Sequence, residues 1–182
     1  MASNTRKQLE AWLKTLDVEG RVVDIGGITW PVEGRTKSWK VSKYDIVDVK
    51  KTHKNREAEY AYDLNYLTPL WAKSGYDVAF CLEVMQFVWN PYYVIENIAD
   101  NLRKGGLLYI STHLSFPQHK GTDCLRYTRL GICKLLEGAG FKIKDIIPLV
   151  SCAQESLETF YKAESKVVYY PEEIGHLVTA IK

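Results

Sequence analysis

Apolar residues at Leu9, Trp12, Leu13 and Leu16 recur at i, i+3, i+4, i+7, the spacing of one helix face, and Gly20 is placed to stop that helix. Arg21 to Ile25 then reads as a short buried strand, broken by Gly26-Gly27. Tyr44 to Val49 is a second strand and Tyr60 to Leu64 a weaker third. Asp77 to Leu82 is nearly all apolar, as a strand covered on both faces should be. Asn90-Pro91 starts a helix with a capping residue and a favoured first position. Its stripe is Ile95, Ile98, Ala99 and Leu102, and Gly105-Gly106 are placed to end it. Leu107 to Ile110 is a fifth strand. Thr128 can cap a further helix with the stripe Ile132, Leu135, Leu136 and Ala139, closed by Gly140. Phe141 to Leu149 and His176 to Ile181 are two final strands.

Strands and helices thus alternate, which argues for a parallel sheet with helices on both faces. Right-handed crossovers make such a sheet doubly wound. Ligands bind outside the carboxyl ends of its strands, at the topological switch point.

The chain has 182 residues, about one domain's worth, with 46% hydrophobic and 25% charged residues, so it can bury one sizeable core. No apolar run approaches a membrane span, and the start MASNTRKQLEAW lacks a signal peptide's apolar region, so a cytoplasmic protein without a membrane partner is expected. Cys81, Cys124, Cys133 and Cys152 lie far apart and read as reduced thiols; neither they nor the four histidines have metal-ligand spacing, so no metal is expected. The net charge of +2 argues against an overall nucleic-acid field. The run from Arg35 to Arg56 is locally basic, with Arg35, Lys37, Lys40, Lys43, Lys50, Lys51, Lys54 and Arg56 against Asp45 and Asp48. It can meet a phosphate or a nucleic acid, or be a solvated face around the second strand.

Candidate chemistry gathers at the strand ends. Asp24-Ile25-Gly26-Gly27 closes the first strand, and glycines there let backbone N–H groups approach a ligand; the alternative is a tight turn. Asp48 follows Gly26 by about 20 residues, where an acid can bond ribose hydroxyls or simply end a solvated strand. Asp63-Leu64-Asn65 can meet an adenine edge or form a turn. Glu83 follows the apolar fourth strand, as a cap or as a wall of the cleft. All four fall at one edge of one sheet, in the order that a nucleoside-like ligand requires.

This pattern resembles the class I S-adenosylmethionine (SAM)-dependent methyltransferases, in particular the small-molecule group. Val22-Val-Asp24-Ile-Gly26-Gly27 resembles the family's first motif, and Leu82-Glu83-Val84-Met85-Gln86-Phe87-Val88 its segment after the fourth strand. Leu102-Arg-Lys-Gly105-Gly106-Leu-Leu-Tyr-Ile-Ser111 resembles the stretch entering strand five. Pro117-Gln-His119, Asp123-Cys-Leu-Arg126-Tyr127-Thr128 and Leu135-Leu136-Glu-Gly-Ala139-Gly140-Phe141 resemble its substrate-side loop and last helix. The resemblance implies SAM as cofactor, held by Asp24, Gly26, Gly27, Asp48, Asp63, Leu64, Glu83 and Val84. The fold expected is α/β: a doubly wound, mostly parallel Rossmann-like sheet of about seven strands, the last antiparallel. Residues 1–182 then form a single domain, with an N-terminal helix in 1–20 and the core in 21–182. The chain departs from the family in having Ile28, Trp30 and Pro31 where more glycine is usual, with Pro31 and Gly34 disfavouring a first crossover helix, and in having Phe87 where histidine is common.

A sulfonium methyl is already activated, so such an enzyme mainly positions its reactants. An oxygen or nitrogen nucleophile can also need a general base, and His113 and His119 are the candidates, expected after strand five at the open edge of the cleft. Asp123 and Arg126 can bind a polar substrate or pair with each other; Tyr127 can line the substrate pocket or cover the last helix. The expected partner is a small-molecule methyl acceptor, and a homodimer whose second subunit adds a wall is compatible with the sequence. Three readings stand: a methyltransferase acting on a small polar metabolite, a non-catalytic module on the same fold, and a nicotinamide-dependent oxidoreductase. The last lacks GxGxxG and room for a separate substrate domain.

Overall fold

The computed structural model describes residues 4–66, 75–116, 121, 123–150 and 173–182. Its elements are α1 (Asn4–Leu13), β1 (Asp17–Ile25), β2 (Ser38–Asp48), the two-residue strands β3 (Thr52–His53), β4 (Arg56–Glu57) and β5 (Tyr60–Ala61), then β6 (Tyr76–Cys81), α2 (Pro91–Asn101), β7 (Leu102–His113), α3 (Arg129–Gly138), β8 (Lys142–Val150) and β9 (Glu173–Ile181). Seven strands form one sheet in the order β5-β2-β1-β6-β7-β9-β8, while β3 and β4 form a separate hairpin. All pairs from β5 through β7 are parallel, and β9 runs antiparallel to both β7 and β8. The chain winds outward from β1 to β5, then crosses to β6. The switch point therefore lies between β1 and β6, as a doubly wound sheet with an antiparallel last strand requires.

Strict alternation along the central strands divides the core. Val23, Ile25, Ala79, Cys81, Leu108 and Ile110 face α2 and α3, which contribute Ile95, Ile98, Ile132 and Leu136. Val22, Val78, Phe80 and Tyr109 face α1, which contributes Leu9, Trp12 and Leu13. Each fully buried aliphatic side chain contributes about 1.5–3 kcal/mol.

Three glycine readings change. α1 ends at Leu13, where the Thr15 amide donates to the Trp12 carbonyl at 2.9 Å and the Leu16 amide to that of Leu13 at 3.0 Å. Gly20 is not its stop: it lies inside β1 at φ +85, at a register shift, and a Cβ there would overlap the Asp77 carboxylate. That carboxylate instead accepts the Arg21 amide at 2.7 Å. Gly105 and Gly106 do not end α2 either, because the helix stops at Asn101 and both glycines lie within β7. Asn90 occupies the N-cap of α2 without a side-chain bond; Asn65 Oδ1 accepts the Trp89 and Asn90 amides at 2.9 and 3.0 Å. Thr128 does cap α3, its hydroxyl accepting the Gly131 amide at 3.1 Å. No helix intervenes between β1 and β2, as Pro31 and Gly34 suggested. Among the described residues no helix is long and apolar enough to cross a membrane.

Candidate active site

Two adjoining cavities open at the carboxyl ends of β1, β2 and β6. One, of about 270 Å³, has Asp48, Asp63, Leu64, Glu83, Val84 and Val88 among its walls. The other, of about 370 Å³, is lined by Arg6, Asp24, Gly27, Trp30, Arg35 and Gln86 among others. Gly26, Glu83 and Phe87 line both. Gly26 has φ +76, and a Cβ there would overlap the Val84 side chain, so only glycine lets the end of β1 approach this wall. A larger cavity among the described residues, of about 600 Å³ around Asp17, Asp77 and Arg103, lies at the opposite, amino end of β1, away from the switch point.

Asp24 is buried in the first turn's support. Its Oδ2 accepts the Val32 amide at 2.8 Å and the Tyr44 hydroxyl at 2.5 Å. Burial pushes its carboxyl up to about 6, against the lowering effect of those two hydrogen bonds. Gly27 lies against the same carboxylate, and a Cβ there would overlap it. Asp24 and Gly27 thus shape the 26–37 loop as well as lining the second cavity. Ile28, the first departure from a glycine-rich loop, turns away from the cleft and packs with Ile46 and Ala58. Trp30 stands at the rim, 68% exposed, with the Arg6 guanidinium 5.0 Å above its ring. Neither residue fills the cleft.

Asp48 sits at the end of β2, accepting the Lys50 amide at 3.0 Å and, more weakly, the Ile28 amide at 3.4 Å. Asp63 Oδ1 accepts both the backbone and the side-chain amide of Asn65, at 2.9 and 2.8 Å, while Leu64 is buried and lines the same cavity.

Glu83 adopts φ +60, a left-handed backbone that a non-glycine residue rarely takes. Ser111 holds it there, its hydroxyl accepting the Glu83 amide at 2.8 Å and donating to Oε1 at 3.0 Å. His113 Nε2 lies 2.9 Å from Oε2, and because a carboxylate only accepts, Nε2 carries the hydrogen. Burial pushes the Glu83 carboxyl up, but the hydrogen bond and charge attraction from His113 and the Ser111 bond together hold it below its ordinary value. The expectation that His113 stands at the open edge of the cleft does not hold. It is the last residue of β7 and only 1% exposed, its ring is stacked on Phe116 at 4.4 Å, and its Nδ1 is buried without a partner among the described residues. It orients Glu83 instead of meeting solvent. His119 lies outside the described residues.

The substrate-side trio is also engaged internally. Arg126 Nη2 donates to Asp123 Oδ2 at 2.7 Å and to the Phe116 carbonyl at 3.3 Å. Tyr127 is buried and donates to the Met85 carbonyl at 3.0 Å. Of the two options for Asp123 and Arg126, pairing within the loop is the one observed, and none of the three residues lines either cavity. Sequence reasoning missed Ser111, Arg6, Arg35 and Gln86. The signal for Ser111 was a run of polar residues, Ser111-Thr112-His113, ending an apolar strand. Gln86 is 2% exposed; its Nε2 donates to the Glu83 carbonyl at 2.8 Å, and its Oε1 has no partner among the described residues.

The family model for a methyltransferase domain matches residues 1–145. Comparison with curated protein sequences finds no match. Among solved structures, a SAM-dependent methyltransferase from Mesorhizobium loti is 15% identical with a TM-score of 0.64, covering 100% of this chain and 99% of that one. The [4+2]-cyclase SpnF is 16% identical with a TM-score of 0.65, covering 98% of this chain and 81% of that one. Phosphoethanolamine N-methyltransferase 2 from Haemonchus contortus, solved with SAM, is 15% identical with a TM-score of 0.58, covering 98% of this chain and 52% of that one. At these identities the likeness is one of fold. The match over residues 1–145, together with the sheet order and the cleft at its switch point, places this chain in the methyltransferase domain family.

Proposed function

We propose that the protein transfers the methyl group of SAM to an oxygen or nitrogen of a small polar metabolite in the cytoplasm. The observation that carries this reading is the pair of adjoining cavities that share Gly26, Glu83 and Phe87. One has apolar walls and three carboxylates, Asp48, Asp63 and the shared Glu83; the other has two guanidinium groups and an unfilled buried acceptor, the Gln86 Oε1. A ligand with an adenosine end and a charged amino-acid end fits that division. SAM carries no phosphate, and the chain offers no helix after β1 whose N-terminus would hold the diphosphate of a nicotinamide cofactor, which weighs against the oxidoreductase reading.

In this reading Leu64, Val84 and Val88 hold the adenine faces, Asp63 meets the adenine edge, and Asp48 accepts from the ribose hydroxyls. Arg6 and Arg35 share the one Glu10 carboxylate, each at 2.8 Å, and the positive charge left over attracts the carboxylate of the amino-acid end. Gln86 Oε1 accepts a hydrogen from a bound amine or hydroxyl. SAM supplies a methyl on an activated sulfonium, so the chain's own contribution is positioning. His113 and Ser111 keep the Glu83 carboxylate ionised and fixed where the cavities meet.

The test is to incubate the protein with SAM and panels of small hydroxyl- and amine-bearing metabolites and to follow S-adenosylhomocysteine. Acceptor-dependent accumulation is expected, and it should vanish in Gly26→Val, whose side chain would overlap Val84. Release of S-adenosylhomocysteine with no acceptor dependence, or equal turnover by Gly26→Val, would contradict the assignment.

A further inference from the structure

The β3–β4 hairpin stands at the carboxyl end of β2, beside the cofactor cleft, and methyl donation by SAM makes no use of its chemistry. It encloses an open cavity of about 530 Å³ lined by Thr29, His53, Lys54, Asn55, Arg56 and Glu57. Thr29 also lines the cavity that holds Gln86, so the two spaces share a wall. Five of the six lining side chains can donate a hydrogen bond. The one carboxylate, Glu57, is paired with Lys51 Nζ at 2.9 Å, outside that set. Among the described residues His53 and Lys54 make no side-chain hydrogen bond or ion pair, and Arg56 makes only a 3.5 Å donation to the Ile28 carbonyl. These donors therefore stand uncommitted around one concavity.

The His53–Arg56 pairing leaves the two-residue turn Lys54-Asn55, and Lys54 has φ +53, the left-handed conformation that such hairpin turns require at their first position.

We propose that this cavity is an anion subsite for the methyl acceptor, holding its phosphate group while the nucleophilic oxygen or nitrogen lies in the cavity across Thr29. A guanidinium, an ammonium, an imidazole, an amide and a hydroxyl converging on one space suit a tetrahedral dianion with several acceptor oxygens. A net charge of only +2 and a concave site of this size favour a small phosphorylated molecule over a nucleic-acid strand. The proposal rests on the methyltransferase reading, since it is the acceptor that the subsite serves.

Inorganic phosphate titrated at constant ionic strength, with and without S-adenosylhomocysteine, tests it by following the His53 ring resonances. Saturable shifts with a dissociation constant on the order of millimolar are expected. The double substitution Lys54→Gln/Arg56→Gln, on an exposed hairpin, should weaken phosphate binding by about tenfold or more. The affinity for S-adenosylhomocysteine should stay within about twofold of the starting protein's. Resonances that do not move with phosphate, or equal phosphate binding by the double variant, would overturn the subsite. So would tight binding of a single-stranded RNA oligomer that phosphate cannot displace, which would make the hairpin a nucleic-acid face. Failure of S-adenosylhomocysteine to bind would instead strike the methyltransferase reading, and it is read in the tubes without phosphate.

Discussion

Asp48→Ala should weaken S-adenosylhomocysteine binding by about a hundredfold while leaving the fold intact. Hydrogen bonds to a charged acceptor contribute roughly 1.5–3 kcal/mol each, and the ribose presents two hydroxyls to this one carboxylate. Every 1.4 kcal/mol is a tenfold change in affinity. The internal cost is small by comparison. The Ile28 amide reaches Asp48 at a long 3.4 Å, and the Lys50 amide is at an exposed position where water can replace the carboxylate. Asp48→Asn keeps an acceptor but loses its charge, so an intermediate loss of about tenfold is expected. Calorimetric titration of the three proteins, with thermal unfolding alongside, reads both parts. Unchanged affinity in Asp48→Ala would remove Asp48 from the cofactor site. A collapse of the unfolding midpoint would make it a structural residue instead.

The second large effect concerns pH. Asp24 has a folded pKa of about 6, raised by burial from an ordinary 3.8. Below 3.8 the group is protonated in both states and costs nothing. As pH rises toward 6, the unfolded chain ionises first, and the folded state becomes progressively less favoured. One pKa unit corresponds to about 1.4 kcal/mol, so the loss across this window is roughly 2–3 kcal/mol, complete above about pH 6. Asp24→Asn removes the titration, and because both hydrogen bonds converge on Oδ2, the amide oxygen can accept both. The unfolding free energy of the variant minus that of the starting protein should therefore rise by that amount between about pH 4 and pH 6.5, then level off. A difference that is flat over this range would show that Asp24 is not a buried, reluctantly ionised acid. The carboxylates with lowered values, such as Glu83, act in the opposite direction, but they are common to both proteins and cancel in the difference.

The fold was legible because the central strands carry their burial in their composition. Val78 to Leu82 and Leu107 to Ile110 are apolar on both faces, and the helices on either side show their stripes. What failed to show was the use of glycine inside strands. Gly20 and Gly105 look like helix stops, yet each sits at positive φ within a strand. At Gly20 the reason is tertiary: the Asp77 carboxylate, 56 residues on from Arg21, occupies the space of a Cβ on Gly20 to reach the Arg21 amide.

The rim of the site was legible for a related reason. Asp48 ends β2, while Asp63 and Glu83 follow the last residues of β5 and β6 by two positions, and the strand register brings those ends together. Side-chain commitments were not legible. Nothing local shows that His113 points back to Glu83, a pairing that depends on how the ends of β6 and β7 meet. For Asp123 and Arg126 the three-residue spacing allowed the pair that forms but did not choose it over substrate binding. Gln86 was passed over because a glutamine after a strand has no distinctive spacing; only its buried, unfilled Oε1 marks it.

Calorimetric titration with SAM and with S-adenosylhomocysteine decides whether the cleft between β1 and β6 is a SAM site. Both ligands should bind at one site per chain with dissociation constants on the order of micromolar. Absence of binding by either ligand at millimolar concentration would contradict this, and would mean that the cleft between β1 and β6 serves something other than SAM.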